Sequence, residues 1–200
     1  MITIREDSIL DAWKAIKAEI KRNGRDVIDD DEELLEVMNV FVEIRNPYDR
    51  DPELDEVDPD MREWMCDNFH GIKKVHELGN SWSYGWRLYH YDGEVNQIEY
   101  IAAKLERKPE TKSATITTLI RPGLESYVPC VSLLDFKIRE GKLILTATCR
   151  SIDIGKKGLF NMIELASILN RMAARLMIDD AQLNIHIISA HIYKKDVESG

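Results

Sequence analysis

One stretch constrains this chain more than any other. GLFNMIELASILNRMAARLMI, residues 158 to 178, reads as a long helix that is apolar on almost every side. An amphipathic helix hides a stripe, whereas a helix that is apolar all round has to be wrapped by other elements. A chain of 200 residues is long enough to do that within one core, so a single domain over residues 1–200 is expected. Its longest apolar runs are broken by polar or charged residues well short of the roughly 20 needed to cross a bilayer, and no signal-peptide core opens the sequence. A cytoplasmic protein with no membrane partner is the expectation.

Strand patterns flank that helix. KLILTATCRSI (142–152) precedes it and LNIHIISAHIY (183–193) follows as a buried closing strand. VSLLDFKI (131–138) joins the first of these through a Glu140-Gly141 turn, while SATITTLI (113–120) and LLEVMNVFVEI (34–44) add two more strands. An amphipathic helix is expected over 8–22, where Ile9, Trp13, Ile16 and Ile20 share a face between a Ser8 and Asp11 start and a Gly24 stop. A second spans 95–105 before Pro109, and a shorter one Met61 to Phe69. The acidic run Asp29–Glu33 reads as a solvated loop, residues 45–60 as an acidic surface loop and 195–200 as a polar tail. Strands and helices mix without regular βαβ alternation, which favours an α+β fold over a doubly wound sheet.

A formal charge of −9 argues against a broad DNA-binding surface but leaves room for a pocket with a few arginines. Cys66, Cys130 and Cys149 lack CxxC spacing and read as reduced thiols. His70, His76, His90, His186 and His191 have no HExxH or CxxC companion, so no metal site is expected. His186 and His191, an odd step apart, would face opposite sides of a regular strand. Cys130, held by Pro129 at a strand mouth, is either a small packing residue or a nucleophile whose thiolate Arg150 favours. Arg150, Ser151 and Asp153 form either a phosphate subsite or a solvated edge. Asn161 carries an amide able to match the N3 and O4 edge of a pyrimidine. His191 and Tyr193 share one strand face, as a core-edge pair or as partners for a sugar hydroxyl.

Taken in order, YGWR (84–87), VPC (128–130), CRSID (149–153), FN (160–161) and HIY (191–193) resemble the successive active-site motifs of the thymidylate synthase family, over roughly residues 82 to 194. NGR (23–25) resembles that family's phosphate loop. The resemblance implies a mixed sheet packed with helices and a homodimer with sheets back to back. It also implies a methyltransferase of dTMP biosynthesis that converts dUMP to dTMP. Cys130 would then add to C6 of the uracil; Arg25, Arg150 and Ser151 would hold the phosphate, Asn161 the base, and His191 with Tyr193 the 3′-hydroxyl. Asp153 would contact the pterin and Tyr84 would assist proton removal. The co-substrate implied is methylene-tetrahydrofolate or, because the short divergent form looks archaeal, methylene-tetrahydromethanopterin. Neither metal nor DNA is implied.

The departures are specific. Lys112 and Ser113 stand where the family has a pair of arginines, so Arg121 or Lys112 is left to complete the phosphate site across a dimer. Val131 replaces the histidine after the nucleophile, and Glu77 is the candidate for the catalytic glutamate. Two alternatives stay open: a pyrimidine-nucleotide hydroxymethylase of the same fold, in which an acid replaces Asn161, and a non-catalytic nucleotide-binding protein.

Overall fold

The computed structural model describes residues 1–54 and 57–197. In chain order the elements are β1 (Ile2–Glu6), α1 (Ile9–Asn23), β2 (Arg25–Asp29), β3 (Glu32–Ile44), α2 (Pro59–His70), β4 (Lys74–Val75), β5 (Ser81–Trp82), α3 (Tyr84–Tyr89), α4 (Gln97–Arg107), β6 (Thr115–Thr117), β7 (Val131–Arg139), β8 (Lys142–Asp153), α5 (Gly158–Leu176) and β9 (Ala181–Tyr193). Seven strands form one sheet in the order β1-β3-β9-β8-β7-β6, with β2 paired to the other half of the β3 edge. β8 and β9 run parallel, as do β1 and β3, and the remaining pairs are antiparallel. The α+β expectation holds, with a mixed sheet and helices packed against it.

α5 is wrapped as its composition demands. Every residue from Gly158 to Leu169 is buried, and the helix packs against α1, α2, α4, β8 and β9. α1 starts where Ser8 Oγ accepts the Asp11 N–H at 3.1 Å and ends at Gly24, whose N–H donates to the Ile20 carbonyl. The Glu140-Gly141 hairpin forms with both residues at positive φ, 52° and 79°, as a two-residue turn requires.

Several boundaries move. The acidic run is not a free loop: Asp30 and Asp31, at φ 49° and 64°, make a tight turn between β2 and β3, so Asp29, Glu32 and Glu33 lie in strands. Val95 is exposed and bridges Tyr91, and α4 begins two residues later under an Asn96 cap. Only Thr115–Thr117 of the 113–120 segment is strand. The aromatic stretch after Gly79 condenses into β5 and α3. β9 buries one face, not two. Of the acidic surface loop, Asp55 and Glu56 lie outside the described residues, as do 198–200 of the tail; Lys194–Asp196 form one 3-10 turn.

A coordinated kink crosses the sheet. Strict alternation of buried side chains breaks at Met38–Asn39 in β3, at Ile188–Ser189 in β9 and at Arg150–Ser151 in β8. Pairing between β3, β9 and β8 keeps its register across the break, because all three slip together, with Asn39 at φ 57°. β7 carries a register shift between Val131 and Leu133. This kink overturns the expectation for the two histidines: the core-facing residues are Ile187 and Ala190, so His186 and His191 share the opposite face.

Candidate active site

The kink delivers several polar side chains to one place. Beyond it, the face of the sheet turned away from the core holds Ser151 and Asp153 of β8 and His191 and Tyr193 of β9, and Asp153 pairs with His191 across the strands. The same row continues through Glu36 to Arg25, which is exposed on β2. His191 and Tyr193 meet edge to face, 5.4 Å between ring centroids.

Cys130 sits immediately before β7, half-buried at the wall of a narrow cleft. α2 lends Trp64, Met65 and Asn68 to that cleft, and α3 lends Tyr84. Tyr127, Asp153, Lys157 and Asn161 close the other sides. The Cys130 sulfur is 3.6 Å from the Tyr127 hydroxyl and 3.8 Å from Ser151 Oγ. The Tyr84 hydroxyl accepts the Val131 N–H at 2.9 Å, which ties it to the start of the strand that follows the thiol. Burial raises the phenol pKa of both Tyr84 and Tyr127, so both remain neutral donors at physiological pH.

Arg150 is committed to the thiol's own loop. Its Nε and Nη2 donate to the Val128 carbonyl at 3.0 and 2.6 Å, its Nη1 to Ser151 Oγ at 3.0 Å, and its backbone N–H to the Cys130 carbonyl. Asn161 is 5% exposed and donates one amide hydrogen to the Lys157 carbonyl at 2.7 Å. That bond fixes which way the amide presents its oxygen. Asp153 Oδ1 accepts the N–H groups of Gly155 and Lys156. Burial raises the Asp153 pKa while neighbouring His191 opposes the rise, and burial lowers the His191 pKa.

Arg87 of the YGWR segment is a fastening rather than a reagent. It is 1% exposed, donates to the carbonyls of Trp82 (3.1 Å) and Thr118 (2.8 Å), and forms an ion pair with Glu125, whose other oxygen accepts the Trp82 N–H. Gly85 is required by close approach: a Cβ there would lie 2.2 Å from the Gly71 carbonyl oxygen. These contacts hold α3, the end of α2 and the 118–130 loop as one unit.

Other sequence candidates lie elsewhere. Glu77 is exposed on a 3-10 turn outside the cleft, whereas its neighbour Leu78 lines it. Lys112 is exposed, and Arg121 lies in a separate groove walled by Trp82, Trp86 and Tyr91. Cys149 is wholly buried, and burial pushes its thiol pKa up. A larger groove at the far end of α5, between Arg45–Pro52 and Asn170–Ala181, contains none of the candidate residues. Sequence reasoning missed Trp64, Asn68 and Tyr127. Tyr127, three residues before the thiol, had a local signal; the other two depend on how α2 is docked. It also missed that Cys66 and His70 of α2 meet Glu164 of α5, their ligand atoms all within 4.8 Å of one another. Among the described residues, no helix is long and apolar enough to cross a membrane.

Comparison with known proteins points to the same family. The family model described as thymidylate synthase matches residues 13–199. The chain is 34% identical over 197 residues to a protein of Methanosarcina acetivorans, covering 96% of this chain and 90% of the relative. It is 30% identical to proteins of Methanothermobacter thermautotrophicus, over 208 residues, and of Methanocaldococcus jannaschii, over 207 residues. Each alignment covers 96% of this chain, with 93% and 91% of the respective relative. All three relatives are described, provisionally, as thymidylate synthases.

Proposed function

The chain belongs to the thymidylate synthase family, and from that premise we propose that it is a methyltransferase converting dUMP to dTMP with a reduced pterin as co-substrate. The observation that carries the proposal is the half-buried Cys130 sulfur, beside the Ser151 hydroxyl and in one cleft with Asn161 and Asp153.

Cys130, as its thiolate, adds to C6 of the uracil; a C–S bond forms, and the electron pair of the C5–C6 double bond moves to C5 and O4. The Ser151 hydroxyl steadies the anionic sulfur. Asn161 offers its oxygen to N3–H and its remaining amide hydrogen to O4, a pattern that suits uracil and mismatches the amino group of cytosine. Tyr84 stays protonated and therefore acts by ordering water for removal of the C5 proton, not as a base itself. His191, neutral because burial lowers its pKa, and Tyr193 meet the ribose 3′-hydroxyl. The 5′-phosphate is assigned to Ser151, to Arg25 and to the guanidinium hydrogens of Arg150 that Val128 and Ser151 leave unused, with Arg121 or Lys112 of a second subunit as its further partner.

The chemistry of the cleft lining suits a pterin, which has to widen the narrow cleft to enter: Trp64 and Tyr127 give aromatic walls, and Asp153 keeps one carboxylate oxygen clear of the turn bonds that hold the other. Trp64, Tyr127 and Asp153 would hold it. When bound, it supplies the one-carbon unit and the hydride that reduces it to a methyl group. The uncovered sheet face, with Met38, Phe41 and Ile188 exposed, supports a homodimer with sheets packed back to back.

Incubation with 5-fluoro-dUMP and a methylene donor is expected to give a covalent adduct on the Cys130 peptide by mass spectrometry. An unmodified peptide with nucleotide bound overturns the chemistry. Comparing folate and methanopterin donors, with dihydropterin formation as the readout, identifies the co-substrate and separates methylation from hydroxymethylation.

A further inference from the structure

Cys66 and His70 stand four residues apart on α2, so their side chains leave the same face of the helix one turn apart. That face meets Glu164, a carboxylate only 4% exposed on the central helix. Glu164 Oε2 is 2.9 Å from His70 Nε2, and His70 Nδ1 is 3.2 Å from the Tyr89 hydroxyl. We propose that Cys66, His70 and Glu164 form a three-ligand site for a divalent zinc-type cation, with a fourth position left to water.

The donor set selects the ion. A thiolate, an imidazole and a carboxylate suit a borderline-soft cation in tetrahedral geometry, whereas magnesium and calcium avoid sulfur. With metal–ligand distances of about 2.0–2.3 Å, ligand atoms stand roughly 3.3–3.7 Å apart. The His70–Glu164 contact has to open by a few tenths of an ångström and the sulfur to swing inward, both within reach of side-chain rotation. The Tyr89 hydroxyl oxygen then accepts a hydrogen bond from Nδ1–H, as the outer partner that orients a metal-bound imidazole. Arg171 also reaches Nδ1, at 3.3 Å, but it is exposed and free to turn into solvent. In the binding step the Cys66 S–H proton leaves to water as the metal–sulfur bond forms, and the imidazole proton shifts from Nε2 to Nδ1.

The ion would pin α2 to α5. α2 carries Trp64 and Asn68 into the nucleotide cleft and α5 carries Asn161, three residues before Glu164, so the pin stiffens two cleft walls without touching substrate. The site does not depend on the proposed reaction.

Chelator-stripped protein titrated with Co²⁺ is expected to bind one ion per chain, with a thiolate-to-cobalt charge-transfer band and tetrahedral visible bands that Zn²⁺ displaces. Cys66→Ser, at an exposed position that should fold, is expected to abolish the charge-transfer band and weaken binding by more than about tenfold. Cys130→Ser should leave both unchanged. Failure of Co²⁺ and Zn²⁺ to compete with a micromolar-affinity chelator dye, or a band that survives in Cys66→Ser, overturns the proposal.

Discussion

The two sides of the sheet kink use the same face for different ends. On one side that face presents Phe41, Thr146, Thr148 and His186, with Phe41 and the His186 ring stacked at 4.2 Å. On the other it presents Glu36, Ser151, Asp153 and His191, with Ser151 3.8 Å from the Cys130 sulfur and Asp153 lining the same cleft. The core face barely notices the change, since Val40, Ile187 and Cys149 give way to Val37, Ala190 and Ile152, all buried. A one-residue slip shared by three strands thus exchanges a face with a stacked aromatic pair for one lined by hydroxyl and titratable side chains, without disturbing the interior.

The two cysteines nearest the kink offer the sharpest test, because register pairs Cys149 with Val131, next to Cys130. Cys130→Ser is expected to cost at least roughly 10⁴-fold in turnover with stability changed by less than about 0.5 kcal/mol. Cys149→Ser should do the reverse, losing about 1–3 kcal/mol in denaturant unfolding while each folded molecule stays active. Equal losses of activity in both variants would erase the distinction.

Next in size is Arg87→Met, which removes the buried guanidinium from Glu125, leaves that carboxylate only the half-exposed Lys74 and the Trp82 N–H, and is expected to cost about 3–5 kcal/mol by chemical denaturation. Gly85→Ala forces a methyl group against the Gly71 carbonyl and should cost about 1–3 kcal/mol. Either result would assign the YGWR segment to holding the cleft together; unchanged midpoints would return it to the chemistry.

The smallest effects concern charge on the chemical side. His191, ordinarily near 6.5, has a lowered folded pKa, so its contribution is complete above pH 6.5 and is lost as pH falls into the window beneath. His191→Gln should flatten that acid limb. Asp153, ordinarily near 3.8, has a raised folded pKa; its contribution exists below 3.8 and is lost as pH rises through the folded value. Asp153→Asn keeps the acceptor for Gly155 and Lys156 and should therefore raise the thermal midpoint at neutral pH, by less than about 1 kcal/mol in stability. Variants that keep the pH profile of the unsubstituted chain would remove the electrostatic difference between the two sides.

What the sequence disclosed follows how local each signal is. The Glu140-Gly141 hairpin, the apolar α5 and the alternation of β8 are written in adjacent residues, and the ordered motifs located the thiol, the amide and the histidine-tyrosine pair. β1 was not legible as a strand because it is short and forms only against β3, far along the chain; β2 was hidden by the acidic run read as a loop, and β6 was legible but shorter than the 113–120 stretch suggests. The kink was hidden for the same reason: Asn39 adopts positive φ within a strand whose composition announces nothing unusual, and the relation of His186 to His191 was misread with it. Cys66 and His70 show a helical spacing, yet their partner Glu164 is 94 residues beyond His70.

Arg87 fastens β5 and the 118–130 loop to α3 around a single guanidinium, and that loop carries Cys130, the proposed nucleophile. Where the sulfur points and whether the domain coheres are therefore decided by the same ion. A search for faster variants that spares every residue in contact with nucleotide but randomises position 87 would be filtered by misdirected thiols and unfolded chains alike, so catalytic improvement has to be sought on the free rim of the cleft.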